Sequence, residues 1–144
     1  MSFSSLSDIE SRVNQLAGRI AVPANLLPTF GHSEDFARPH VEVDSRGYHY
    51  VVVERGQELR RVTTGSMDEL LSLIFADVTF SMACDFELKH RVDGQDSRRL
   101  LFATQVDLLS RLSPDWGRLE AARHQAILGN HPFRDYVEPR KTTP

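Results

Sequence analysis

Between two glycine-bearing turns the chain runs Tyr48-His49-Tyr50-Val51-Val52-Val53-Glu54, and no other segment restricts the possible folds as strongly. β-Branched and aromatic side chains lose rotamer freedom in a helix and suit a pleated surface. Val41 and Val43 alternate with polar neighbours just upstream, and Glu58–Thr64 supplies a third extended run. Ser45-Arg46-Gly47 and Arg55-Gly56-Gln57 are short enough to be hairpin turns. The pattern therefore predicts a three-stranded antiparallel meander over 40–44, 48–54 and 58–64. A two-residue period puts His49, Val51 and Val53 on one face, and Tyr48, Tyr50, Val52 and Glu54 on the other. Both faces are partly apolar. Either helices cover both, or one is kept for a partner.

A sheet this small needs helices to bury it, and the sequence supplies four. Ser7-Asp8-Ile9-Glu10 has capping-box spacing ahead of Ile9, Val13, Leu16 and Ile20, which recur at helical period. That helix should end near 18–20, before Pro23. Ser66-Met67-Asp68-Glu69 is a second capping box and opens a long helix to about His90, with Leu70, Leu71, Ile74, Phe75 and Val78 in its apolar stripe. Asp96 can cap a third helix through Leu112. Ser113 with Pro114 starts a fourth, which Gly129 to Pro132 end. The expected fold is α+β: an N-terminal helix, the meander, then three C-terminal helices packed on the sheet. Residues 21–39 contain Pro23, Pro28, Gly31 and Pro39 without periodicity. They read as a long loop pinned by Leu26, Leu27, Phe30 and Phe36. One domain over 1–133 and a flexible polar tail over 134–144 complete the expected layout.

Composition removes several classes of function. At 144 residues and 40% hydrophobic, the chain is a domain-sized folding unit rather than a disordered segment. Seventeen Lys and Arg against 20 Asp and Glu leave a net charge of −3, and the arginines are scattered among acids. Neither feature suits a nucleic-acid surface, which needs a basic stripe with aromatic platforms. Cys84 is the single cysteine, so an internal disulfide cannot form. Asp77 and Asp85 interrupt the longest apolar stretch, and the first 20 residues lack a basic segment followed by an apolar one. No membrane association and a cytoplasmic setting are therefore expected.

Candidate chemistry is sparse. Glu87 and His90 have the Glu-x-x-His spacing of a helical metal site, but a di-iron bundle needs two such pairs and two further carboxylates. Glu120 and His124 are spaced i,i+4 instead. Asp77 and Asp85 lie about 12 Å apart along an ideal helix, too far to act as a glycosidase pair, and either could pair with Arg98 or Arg99. Cys84 sits in the apolar run Phe80 to Cys84, where a thiol behaves as a small hydrophobe. No catalytic residue, metal or cofactor is expected on this basis. A small hydrolase or metal enzyme built from Asp85, Glu87, His90 and Cys84 stays open as a second reading, and a small-ligand module as a third. Surface recognition is the better fit: His40, Glu42, Asp44, Tyr48 and Tyr50 can share the non-core face of the meander, with 30–36 at its rim. Tyrosine anchors interfaces, and acids steer basic partners.

The order of several short motifs adds a specific likeness. Leu26-Leu27-Pro28-Thr29-Phe30-Gly31, Arg38-Pro39-His40-Val41-Glu42-Val43, Tyr48 through Gly56, Asp68-Glu69-Leu70-Leu71, Arg98-Arg99-Leu100-Leu101-Phe102 and His131-Pro132-Phe133 together resemble the bacterial immunity protein 63 family, which is linked with polymorphic toxin systems. The likeness spans about 9–133. It implies a non-enzymatic protein that binds a cognate toxin domain encoded by the neighbouring gene and blocks it. It carries over no catalytic residue. Arg38, Glu42, Glu54, Arg55 and Arg98 can be fold-stabilising ion pairs or partner contacts, and Glu54, Arg55 and Arg98 read as structural.

Overall fold

The valine-rich run lies inside a sheet, as its composition requires. A computed structural model, which describes residues 2–136, contains α1 (Leu6–Arg19), a 3-10 turn (Ala24–Leu26), β1 (Thr29–Phe30), β2 (His40–Asp44), β3 (Gly47–Glu54), β4 (Gln57–Thr64), α2 (Met67–Lys89), α3 (Ser97–Leu112) and α4 (Pro114–Asn130). The chain divides into two compact units, with the boundary inside α2 after Val78. Among the described residues, no helix is long and apolar enough to cross a membrane.

In the first unit the expected meander is one strand short of the observed sheet. The sheet is four-stranded and mixed, in the order β1-β2-β3-β4, and β1 runs parallel to β2 with Thr29 beside His40 and Phe30 beside Val41. Two backbone bonds hold that edge, Thr29 N–H to Pro39 C=O at 3.0 Å and Gly31 N–H to Val41 C=O at 2.8 Å. A two-residue strand is too short to show a period, so a pattern search reads it as loop. The 21–39 segment is pinned, but differently from the expectation. Leu26, Leu27 and Phe30 are half-buried, whereas Phe36 stands in solvent. Arg38 supplies the tie that was expected of Phe36, donating from Nε to Leu27 C=O at 3.0 Å and from the guanidinium to Glu34 at 3.1 Å.

α1 starts two residues earlier than the sequence pattern implies. Its cap is Ser5, whose hydroxyl accepts from Asp8 N–H at 3.1 Å, rather than Ser7. Ile9, Val13, Leu16 and Ile20 are buried, and so are Leu70, Leu71, Ile74, Phe75 and Val78 of α2. The α2 capping box forms with a relay. Ser66 Oγ accepts from Glu69 N–H, while the Glu69 carboxylate accepts from Thr64 Oγ1, which itself accepts from Ser66 N–H. Gly47 is required where β2 turns into β3. Its φ is 135°, and a Cβ there would come within 2.6 Å of Thr64 C=O.

In the second unit α3 and α4 pack closely, around Leu108, Leu109, Leu112 and Trp116. Asp96 caps α3 and Ser113 caps α4, as expected from the sequence. The approach is closest at Gly117, where a Cβ would stand 2.0 Å from Ser110 Oγ and 3.2 Å from Ser110 Cα. Helix propensity alone makes Gly117→Ala stabilising by about 1 kcal/mol. Overpacking against backbone opposes it with about 1–3 kcal/mol, so a net loss of about 1 kcal/mol is expected, read as a lower urea midpoint.

The interior here is partly polar. Gln105 Nε2 donates to Glu120 Oε1 at 3.0 Å, Gln105 Oε1 lies 3.1 Å from His124 Nε2, and Phe102 stacks on the imidazole at 3.9 Å. Burial pushes the His124 pKa down, against the opposing field of Glu120. The start of the expected flexible tail is tied down instead. Arg134 N–H donates to Asp96 at 2.8 Å, Asp135 pairs with Arg99 at 2.9 Å, and Tyr136 N–H reaches Gly94 C=O. Arg98 donates to the carbonyls of His131 and Pro132 while pairing with Asp96. Residues 137–144 of that expected tail lie outside the described residues. The two acids of α2 that the sequence offered to Arg98 or Arg99 have other partners: Asp77 pairs with Arg60, and Asp85 with Lys89.

Candidate partner-binding surface

Strand register decides which of the proposed contact residues share a face. Directly opposed residues in an antiparallel pair project to the same side, so His40, Val51 and Arg61 form one row, and Glu42, His49 and Thr63 the next. Val41, Tyr50 and Val62 form a row on the opposite side, with Val43, Tyr48 and Thr64 beside it. His40, Glu42 and Asp44 therefore lie together, and the two tyrosines lie behind them.

The tyrosine assignment is corrected by burial as well as by register. Tyr48 is 4% exposed and Tyr50 1%. Tyr48 Oη accepts from Ser4 N–H at 2.8 Å, and its ring meets Phe3 edge-on at 5.2 Å. Tyr50 Oη donates to Asp77 Oδ2 at 2.8 Å, with the Arg60 guanidinium on the same oxygen at 2.9 Å. Burial, and then the Asp77 charge, drive the Tyr50 phenol far above its ordinary pKa, so it stays a donor. An aromatic body with one polar tip can be buried when the tip finds a partner. Both tips do.

The other face carries a chain of charge. His40 Nε2 lies 2.6 Å from Glu42 Oε2, Arg61 bridges Glu42 at 3.5 Å and Glu58 at 2.7 Å, and His49 joins Asp44 at 2.8 Å to Thr63 at 2.7 Å. The imidazoles are buried beneath acids that reach water: the Glu42 side chain is 39% exposed and that of Asp44 52%. The hydrogen bond from His40, aided by Arg61, holds the Glu42 carboxyl below its usual pKa. His49 and the Arg46 N–H do the same for Asp44. Both acids are thus anionic at neutral pH and held in one geometry, which lowers the ordering cost of binding. His40 Nδ1 is buried without a hydrogen-bond partner. Sequence reading missed His49, Glu58, Arg61 and Thr63 here. The signal was the pairing itself, because β4 residues join the face only once the register is known.

Three of the four residues of the enzyme reading, Asp85, Glu87 and His90, are engaged locally. Glu87 accepts a two-pronged pair from Arg91 at 2.7 and 3.0 Å, and Asp85 pairs with Lys89 at 3.0 Å. His90 Nδ1 lies 2.9 Å from Phe86 C=O, its ring stacked on Phe86. Burial and the Glu87 charge push the Cys84 thiol pKa up, away from the reactive thiolate. Among the described residues, no group of three or more His, Cys, Asp or Glu side chains could hold a metal ion. The second unit does carry an open groove of about 420 Å³ lined by Met82, Phe86, Ala103, Leu108 and Arg111.

No curated protein and no solved structure matches the chain. The family model for Immunity protein 63 matches residues 44–126, more than half of the sequence and everything from the end of β2 to late α4, and the chain belongs to that family.

Proposed function

We propose that this protein is an immunity protein that binds a cognate toxin domain, encoded by the neighbouring gene, and neutralises it by stoichiometric occlusion, with no chemistry of its own. The observation that carries this reading is the Immunity protein 63 match over 44–126. The pre-ordered polar face supports it: Glu42, Asp44 and Glu58 offer carboxylates to a basic surface, and Arg61 fixes the register between two of them. Complementary charge of this kind speeds encounter and rejects wrong partners more than it adds raw affinity. An interface of ordinary size buries about 1,200–2,000 Å² in total.

Co-expression with the C-terminal domain of the adjacent reading frame tests the reading. Growth arrested by that domain alone should be restored by this chain. A Glu42→Lys, Asp44→Lys double variant should restore it less well and slow association by about tenfold, since reversed charge removes the steering. Arrest that persists at equal expression of the folded wild-type chain would contradict the reading.

A further inference from the structure

The chain leaves β1 at Phe30 and must turn back before it enters β2 at His40. Within that turn two non-glycine residues, Asp35 at φ 57° and Ala37 at φ 58°, occupy the left-handed region, one on each side of Phe36. L-residues rarely adopt that conformation, and they persist in it only where the surroundings over-determine it. They do so here. The Asp35 carboxylate accepts from Gly56 N–H at 2.8 Å, Ala37 N–H donates to Val53 C=O at 3.0 Å, and Phe36 bridges to Glu54. Arg38 ties the far side of the turn to Leu27 and Glu34.

The result of this bracing is an aromatic ring in water. Phe36 is 87% exposed, the highest value for a large hydrophobic side chain among the described residues. A slack loop would fold such a ring onto the nearest apolar surface. This one is held out by hydrogen bonds on both sides. Beside it, at the β3–β4 turn, Glu54, Arg55, Gln57 and Leu59 line a shallow depression of about 430 Å³. The strand irregularity opposite Val52 and Val53 leaves Leu59 out of the pairing and 58% exposed. The charge around the ring is acidic. Among the described residues Glu54 has no ion-pair partner, Asp35 uses its carboxylate on a neutral amide, and Arg55 beside them is a cation without an ion pair.

We infer that Phe36 is the anchor of the toxin interface: a pre-formed knob that enters an apolar pocket rimmed by basic groups, while a side chain of the partner occupies the Leu59 hollow. The inference rests on the immunity reading and names the contact on which it turns. Rigid aromatic anchors lose little conformational freedom on docking and carry a large share of binding energy. The strain that keeps the ring presented is the same strain that spares the complex from ordering it.

The full chain, Phe36→Ala and Ala37→Gly should be titrated against the toxin domain from the adjacent reading frame, with thermal melts and sedimentation of each chain alone. Phe36→Ala should weaken binding at least about 30-fold, mainly through faster dissociation, with a Tm within about 2 °C of wild type because the ring contacts solvent. Ala37→Gly should melt at the same or a higher temperature and bind about three- to tenfold more weakly, because glycine relieves the strain and frees the loop. If wild type binds and Phe36→Ala binds within about threefold of it, the anchor is wrong and the immunity reading stands. A fall in Tm of more than about 5 °C in Phe36→Ala makes the ring structural and overturns the inference. Self-association of wild type that Phe36→Ala abolishes assigns the knob to a second copy and also overturns it. Failure of the wild-type chain both to bind and to rescue growth removes the immunity reading itself, and the anchor with it.

Discussion

Truncating Tyr50 to alanine is expected to cost about 3–5 kcal/mol of folding stability, the range for removing a large buried aromatic. The ring is 1% exposed in the middle of β3, and its hydroxyl shares Asp77 Oδ2 with Arg60. Tyr50→Phe separates the two contributions. It keeps the volume and removes one charge-assisted bond, and because Arg60 and solvent still reach Asp77, a loss of about 1 kcal/mol is expected. Urea titration checks both, with a shifted midpoint at constant slope as the signature of a pure stability change. The outcome matters for function. An alanine scan that found Tyr48 and Tyr50 essential for toxin binding would be reporting the core, whereas the Glu42 and Asp44 side chains reach water.

The second large effect is expected at Gln105. Its amide is the centre of the buried polar cluster, donating to Glu120 and facing His124. Gln105→Ala opens a cavity and removes a partner from three buried polar groups, those of Glu120, His124 and Thr79. Each stranded group costs about 1–3 kcal/mol, and Arg123 still bonds Glu120 at 3.3 Å, so about 3 kcal/mol is expected in all. His124 makes the same cluster sensitive to acid. Burial depresses its folded-state pKa below the ordinary 6.5, so the unfolded chain takes up a proton that the folded chain refuses. The contribution of the neutral imidazole is complete above that value and is lost as pH falls below it. Urea midpoints should therefore decline as pH falls through the ordinary imidazole range and below it, and His124→Gln should flatten that decline.

Much of the architecture is legible in the sequence because local rules and global packing agree there. The capping box at Ser66 starts α2, Asp96 and Ser113 cap α3 and α4, and the stripe from Ile9 to Ile20 is buried as its spacing implies. The failures have identifiable causes. β1 has two residues, a single period of alternation that nothing repeats. Ser5 and Ser7 both precede an acid at a spacing that can cap a helix, and tertiary contacts decide between them, since Ser4 N–H is engaged by Tyr48. Two of the candidate site residues, Tyr48 and Tyr50, lie on the opposite side of the sheet from the other three. Tyr48 and Tyr50 look like interface anchors in isolation, but a side chain that alternates with His49 lies on the face opposite Glu42 once β2 and β3 are in register. Phe36 shows the converse. Hydrophobicity argued for burial, and only the positive φ angles on either side reveal a ring held in solvent.

The most direct test of the central claim is stoichiometry. Toxin domain at fixed concentration, well above the dissociation constant, should lose its activity linearly as the chain is added and reach zero at one equivalent, with both proteins recovered intact from the complex. Inactivation of many equivalents of toxin by one of this chain, or a toxin left chemically altered after the two are separated, would contradict an account in which the protein works only by covering its partner.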